Sequence, residues 1–322
     1  MSASLEPRRP FFLDCDTGID DALALGYLLA SDTVDLVGIG TVSGNVSAER
    51  GARNTLDLLE LSGRADIPVA IGNAEPQRGT FDGGALHVHG ANGIGDVLLP
   101  ESATPVVDET AAELLVRMAR EYAGELHLVA IGPLTNIAEA LRLEPQLTTL
   151  VKTVTIMGGA AMAPGNITPV AEANIGNDAD AAAEVLAADW FVTLVPLDVT
   201  ISHRFEESDQ RALVESEQTV PVALGQMLDF YFDFYVGTYG ERASALHDPL
   251  AAAIAVGDIA LKSAPVVSVL VDDTDGPGRG QTICDLRGYL VGFPEQPGAH
   301  CRVVLSLEQD FAPTLLAALL TL

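Results

Sequence analysis

Between Phe11 and Val195 the chain alternates short apolar runs, each closed by Gly, Asp or Asn, with longer Ala- and Leu-rich segments of helical period. Phe11–Leu13, Val34–Val42, Ile67–Ile71, Leu126–Ile131, Val151–Met157 and Phe191–Val195 read as strands. Asp20–Ala30, Ala48–Leu61, Glu109–Tyr122, Leu134–Leu143 and Ala179–Ala187 read as the helices between them. Parallel strands need a crossover, and a helix is the ordinary one. The pattern therefore predicts an α/β fold: a mostly parallel central sheet flanked by helices on both faces, with a Rossmann-like core.

After Asp198 the rhythm changes. Helical stretches at Glu207–Val214, Val222–Tyr239 and from Pro249 follow one another directly. Val266–Val271, Gly288–Phe293 and Val303–Leu307 then read as small strands, closed by a helix over Phe311–Leu320. No linker-like composition divides the chain and no internal repeat is visible, so residues 1–322 are read as a single domain. Arg78–Pro100, rich in Gly, His and Asn, has little periodicity, and a loop of that length in a compact domain is usually functional.

Charge narrows the partners. Lys+Arg total 17 against 45 Asp+Glu, a formal net charge of −28, and the only lysines are Lys152 and Lys262. Such a surface repels phosphate backbones and anionic lipid, so neither nucleic acid nor membrane is an expected partner. A neutral polar ligand or a bound cation fits better. Cys15, Cys284 and Cys301 are odd in number and lack a CxxC spacing, which predicts a reducing, cytoplasmic setting without disulfides. The apolar run near the N-terminus, Phe11–Leu13, is too short for a secretory signal.

Ligands of such sheets bind beyond the carboxyl ends of the strands, so polar residues at strand ends are the candidates. The first strand runs into Asp14-Cys15-Asp16-Thr17-Gly18-Ile19-Asp20-Asp21, four carboxylates within eight residues. Alternation sends Asp14 and Asp16 to one side, while Asp20 and Asp21 open the next helix. Converging carboxylates repel unless protonated or neutralised by a cation, and hard oxygen donors select Ca2+ or Mg2+ over zinc. An EF-hand loop beginning at Asp14 would need an acid where Leu25 stands. An aspartyl-phosphate phosphatase would need a hydroxyl residue at Gly18 and cations for phosphate; it remains a distant alternative. Two further signals lie downstream: His247-Asp248-Pro249 opening an Ala-rich helix, where Asp248 could also serve as a cap, and an amide- and acid-rich stretch holding Asn166, Glu172, Asn174 and Asp178. That density of amides and carboxylates suits a polyol.

The segments DCDTGIDDALAL, SGN (Ser43–Asn45), HVHGANGIGD (His87–Asp96), AIGPLTNIAEAL, VTIMGG, GNITPVAEANIGNDADAA and HDPLAAA occur in the order seen in nucleoside hydrolases. The chain resembles the inosine–uridine-preferring type of N-ribohydrolase from about Phe11 to Ala255. The resemblance implies Ca2+-dependent hydrolysis of the N-glycosidic bond of ribonucleosides in purine and pyrimidine salvage. Carried over by motif, it implies Asp16, Asp21, Asp248 and the main-chain carbonyl of Ile131 as calcium ligands, with Asp16 also the general base. Asp20, Asn166, Glu172 and Asn174 match ribose-binding positions, with Asn45 and Asp14 supporting the water and the metal. His247 matches the position that assists the leaving base. Tyr231 and Tyr235, one helical turn apart, match base-side aromatics, and His89 is a candidate lid contact. Relatives form homodimers or homotetramers, which this chain is expected to share. Ala173 and Gly176-Asn177 depart from the bulkier residues common nearby and leave the substrate's exact shape open. A calcium-dependent riboside-binding protein without turnover is the alternative that uses the same residues.

Overall fold

The computed structural model describes residues 7–322. Its first half runs β1 (Arg9–Cys15), α1 (Ile19–Ala30), β2 (Val34–Thr41), α2 (Ala48–Leu61), β3 (Val69–Ile71), α3 (Leu86–His89), α4 (Ala111–Glu121), β4 (Leu126–Ala130), α5 (Thr135–Leu143), α6 (Leu147–Leu150), β5 (Val151–Met157), α7 (Ala173–Asn177), α8 (Ala179–Ala187) and β6 (Val192–Val195). These six strands are parallel and lie side by side in the order β3-β2-β1-β4-β5-β6. The anticipated strand–helix alternation is therefore present. Arg78–Pro100 is irregular but for the single turn of α3.

Alternation along β1 builds a core on each face. Phe11 and Leu13 join α1, α2 and the later helices on one side, while Phe12 packs with α4, α5 and α8 on the other. Local signals set the helix starts. Ser47 accepts the Arg50 N–H to begin α2, and Thr110 with Glu113 forms a reciprocal capping box on α4.

The second half continues with α9 (Leu197–Thr200), β7 (Arg204–Glu206), α10 (Glu207–Val214), α11 (Thr219–Tyr239), β8 (Ala243–Ala245), α12 (His247–Val256), β9 (Leu261–Ser263), β10 (Val266–Val267), β11 (Val269–Val271), β12 (Thr282–Cys284), β13 (Cys301–Val303), β14 (Ser306–Leu307) and α13 (Ala312–Leu319). β13 adds parallel to β6 and β10 pairs antiparallel with β13, so both halves of the chain share one eight-stranded sheet. No helix among the described residues is long and apolar enough to cross a membrane.

Four expectations for this half are corrected. α11 starts at Thr219 rather than Val222, because Pro221 falls in the first turn, where its missing N–H costs nothing. Val266–Val271 is two strands in two sheets, since the Ser268 N–H leaves the ladder to donate to Gln296 Oε1. Val303–Leu307 also divides: Val304 N–H reaches the Leu194 carbonyl and Leu305 N–H the Ser263 carbonyl, carrying the chain from one neighbour to another. Gly288–Phe293 is not a strand. Tyr289–Val291 forms a 3-10 turn ended by Gly292 (φ 78°) and Phe293 (φ 53°), a left-handed pair that extended pairing does not admit.

Candidate active site

The strand order reverses between β1 and β4, and the crevice beyond their carboxyl ends is where an open α/β sheet offers a binding site. β1 delivers Asp14 there; the turn after it delivers Asp16; the first turn of α1 delivers Asp20 and Asp21. All four are buried. Asp21 does local work, accepting the Asp16 N–H through Oδ1 (3.1 Å) and the Gly18 N–H through Oδ2 (2.7 Å). Asp14 Oδ1 accepts from Asn136 Nδ2 at 2.8 Å, which ties β1 to α5. Asp16 Oδ2 accepts the Asn45 N–H at 2.6 Å, from the loop after β2.

Asp248 arrives from α12, which begins at His247, so the aspartate lies inside the first turn and does not cap it. It is buried and forms no hydrogen bond among the described residues. Oxygen atoms of Asp20, Asp21 and Asp248 lie within 4.8 Å of one another. Asp16, which the resemblance implies as a ligand with Asp21 and Asp248, has its Oδ1 beside the Gly132 backbone, next to Ile131, buried and without a hydrogen-bond partner. Asp20 Oδ1 is likewise buried and unpartnered. The Ile131 carbonyl accepts from Asn174 Nδ2 at 2.8 Å.

Burial governs the protonation of this group. It pushes Asp14 up to about 7 against the opposing Asn136 hydrogen bond, and Asp21 to about 7 with Asp20 adding repulsion. Asp16 is raised well above the ordinary carboxyl range by burial and then by Asp21, and Asp248 by burial and then by Asp20. Among the described residues, no Lys or Arg lines the cavity above these acids. Orphaned carboxylate oxygens with no protein cation nearby, all hard donors, fit a divalent metal of the calcium or magnesium kind.

The turn at Gly44 is tailored to Asp16. A Cβ at that position would stand 2.1 Å from Asp16 Oδ2 and 2.8 Å from Pro133 Cδ. Gly44→Ala is therefore expected to displace the Asp16 carboxylate and lower kcat by about tenfold or more, since small misplacements of reacting groups are costly. Steady-state turnover of the variant, with its melting curve as control, checks this; an unchanged kcat would show that the turn does not set Asp16.

The cavity over the acids measures ≈ 450 Å³. On one wall Glu172 caps α7, accepting N–H groups from Gly159 (2.8 Å), Asn174 (2.8 Å) and Ile175 (3.1 Å). Burial still pushes its carboxyl up to about 7. Asn166 braces the same wall through Oδ1 to the Ala173 N–H at 2.9 Å. Asp178, by contrast, is the N-cap of α8 and lies outside the cavity lining. Opposite, α11 presents Tyr231, whose hydroxyl donates to Asp20 Oδ2 (3.0 Å), and Tyr235, whose hydroxyl meets His247 Nε2 (3.2 Å). Burial lowers the proton affinity of His247, with Asp20 opposing. His89 is a fixed part of the wall rather than a solvated loop side chain: it is buried, and its Nδ1 accepts the Ile19 N–H at 3.1 Å.

The residues singled out from the sequence thus meet at one crevice. Asp20, Asn45, His89, Ile131, Asn166, Glu172, Asn174, Tyr231, Tyr235, His247 and Asp248 line it, while Asp14, Asp16 and Asp21 lie beneath. Others had not been singled out. Asn136 sits within the LTN motif and its partner Asp14 was the available signal; Phe234 and Tyr239 extend the aromatic wall, with Tyr239 stacked on Tyr235 at 5.2 Å. Thr200, bonded to His247, carried no signal at all in the sequence.

The model of the inosine-uridine preferring nucleoside hydrolase family matches residues 11–312. Uridine nucleosidase 1 of Arabidopsis thaliana is 36% identical over 274 residues, 85% of this chain and 81% of that protein. The inosine-uridine preferring nucleoside hydrolase of Leishmania major is 34% identical over 309 residues, 94% of each. Among solved structures, a plant nucleoside hydrolase superposes with a TM-score of 0.90 at 31% identity, covering 98% of this chain and 99% of that one. A purine-preferring ribonucleoside hydrolase from Gardnerella vaginalis gives 0.88 at 32%, covering 97% of each. A parallel sheet with its acids at the strand reversal, joined by matches along nearly the whole chain, makes this protein a member of the inosine-uridine preferring nucleoside hydrolase family, an enzyme that hydrolyses N-glycosidic bonds of ribonucleosides.

Proposed function

We propose that the enzyme is a Ca2+-dependent ribonucleoside hydrolase of purine and pyrimidine salvage in which Asp16 activates the attacking water. The observation that carries this reading is the convergence of buried carboxylates from α1 and α12, residues separated by more than two hundred positions, with oxygens left unpaired. Asp16, Asp21, Asp248 and the Ile131 carbonyl would hold calcium; Asp20, close enough to share the ion, would also face the ribose. When bound, the cation orders a water and a vicinal diol and acidifies water less than zinc does, so a carboxylate base is still required.

Asp16 suits that task because burial raises its proton affinity. Its unpaired Oδ1 can take a proton from water as the oxygen approaches C1′. The glycosidic bond breaks through an oxocarbenium-like state, and the surrounding carboxylates stabilise the charge as it develops. Glu172, Asn166 and Asn174 would pair with ribose hydroxyls, and a deoxyriboside would leave buried partners unmatched. Asn45 and Asp14 would hold Asp16 and the floor in register. Tyr231 and Tyr235 would flank the base, and His247 would pass it a proton. His89 would complete the ribose-side wall.

Family membership displaces both the turnover-free riboside binder and the phosphatase reading of the acidic run. We further read the enzyme as a cytoplasmic homodimer or homotetramer. Three cysteines without disulfides support the first part, and the family likeness supports the second.

Release of reducing sugar from inosine, uridine and their 2′-deoxy counterparts, with calcium and with a chelator, tests the reading. Ribonucleosides are expected to react at least about a hundredfold faster than deoxyribonucleosides, as a site built for hydroxyls dictates. Equal rates would remove the proposed role of the Glu172 wall, and rates indifferent to the chelator would remove the metal.

A further inference from the structure

Thr200 is the last residue of α9 and is fully buried. Its Oγ1 lies 2.8 Å from His247 Nδ1. The other ring nitrogen, Nε2, stands 3.2 Å from the Tyr235 hydroxyl at the cavity wall. Each nitrogen of the imidazole therefore faces one hydroxyl, and the two hydroxyls differ in chemistry. A phenol, with its ordinary pKa near 10, is a far stronger hydrogen-bond donor than an alkyl alcohol. The two contacts admit either tautomer; the one in which the phenol donates to Nε2 leaves the ring hydrogen on Nδ1, facing Thr200 Oγ1. Which nitrogen bears the proton is set by the bond that the other makes.

The anchor is rigid. Threonine is branched at Cβ and restricted in χ1. The short helix that carries it is itself tied down, because Asp198 in the same turn accepts the N–H groups of Ala161 (2.7 Å), Met162 (2.7 Å) and Ala163 (3.1 Å).

We propose that Thr200 is a positioning residue for the hydrolysis: by holding the Nδ1 hydrogen of His247, it leaves Nε2 as the nitrogen that exchanges a proton with the departing base. This rests on His247 being the group that protonates that base. The step balances as follows. The ring first takes up a proton from solvent at Nε2; the C1′–N bonding pair then goes to the base nitrogen, which takes that proton. The water oxygen bonds to C1′ and its proton passes to Asp16. The ring is left neutral, its remaining hydrogen on Nδ1 and held by Thr200. Without the hydroxyl, the ring is free to place its hydrogen on either nitrogen and to turn about χ2, so the reactive edge is no longer fixed.

Inosine and 7-methylinosine separate this role from a structural one. The methylated base is already cationic and departs without a proton. Thr200→Val is expected to lower kcat on inosine by about ten- to a hundredfold, part of what a general acid contributes, while changing kcat on 7-methylinosine by less than about threefold. Thr200→Ser is expected to restore inosine turnover. Equal losses on both substrates, or no loss on inosine, would overturn the proposal. His247→Gln on the same pair separates the two layers. If it spares inosine, the leaving-group role of His247 falls and that of Thr200 with it; if it is selective for inosine while Thr200→Val is not, Thr200 alone falls. An independent reading comes from ring 15N spectra of the unsubstituted calcium-loaded enzyme, with the His247 signals assigned by their loss in His247→Gln. A neutral ring protonated at Nδ1 supports the assignment. One protonated at Nε2 overturns it, even if the valine variant does not fold.

Discussion

Asp16→Asn is expected to lower kcat for ribonucleosides by roughly a thousandfold, within the range that a positioned general base contributes, while leaving KM within a few-fold. Asparagine matches aspartate in shape and can still accept the Asn45 N–H that holds the carboxylate at 2.6 Å. What it loses is the ability to take a proton at Oδ1, the oxygen that the fold leaves buried and unpaired. On the proposed ligand set the same substitution would also remove one negative calcium ligand, so the two contributions need separate readouts. Calcium affinity by titration calorimetry, followed by kcat at saturating calcium, isolates the base. Asp248→Asn is the comparison: Asp248 makes no hydrogen bond among the described residues and stands with Asp20 and Asp21, so its loss is expected to fall mainly on calcium affinity and to be rescued in part by excess calcium. If Asp16→Asn kept kcat within tenfold at saturating calcium, the base would have to be another group.

The two halves of the chain were unequally legible. In the first half, Phe11, Phe12 and Leu13 alternate between two cores, and a fully buried parallel strand has no choice but to be apolar, so the signal is strong. In the second half the deciding contacts are single hydrogen bonds. The Gln296 side chain ends one strand by taking the Ser268 N–H, and two left-handed residues turn Tyr289–Val291 away from extended pairing. Neither is written in local periodicity. The site shows the same division. Four acids in eight residues announce themselves because their mutual repulsion demands an explanation, and that demand is local. That Asp20, Asp21 and Asp248 bring their oxygens closest together was not readable, because it depends on which way each side chain leaves its turn. Thr200 illustrates the limit. One threonine among many gains meaning only from the imidazole that the fold brings to it from 47 positions away.

Removing calcium is expected to do more than abolish turnover: it should destabilise the fold, and increasingly so as pH rises. In the metal-free protein Asp14, Asp21 and Glu172 are pushed up to about 7, and Asp16 and Asp248 above an ordinary carboxyl, by burial in every case, with repulsion from a neighbouring aspartate next at Asp21, Asp16 and Asp248. In the unfolded chain the same groups ionise near 4. The folded form therefore binds more protons than the unfolded form between those values. The stability these groups contribute is fully present below about pH 4 and is lost as pH climbs through about 7. On the proposed reading calcium would offset the charge by another route, binding the ionised acids of the folded state and finding no such site in the unfolded chain. At a free concentration one hundred times its Kd, that linkage is worth about 2.7 kcal/mol. The gap between melting temperatures with calcium and with a chelator should thus widen from pH 5.5 to pH 8. Taking the difference cancels every titration elsewhere in the molecule, including the burial-lowered His127 on β4, which acts in the opposite sense by losing stability as pH falls. A gap that stayed constant, or narrowed toward pH 8, would mean that the acids beneath the cavity are not what calcium neutralises.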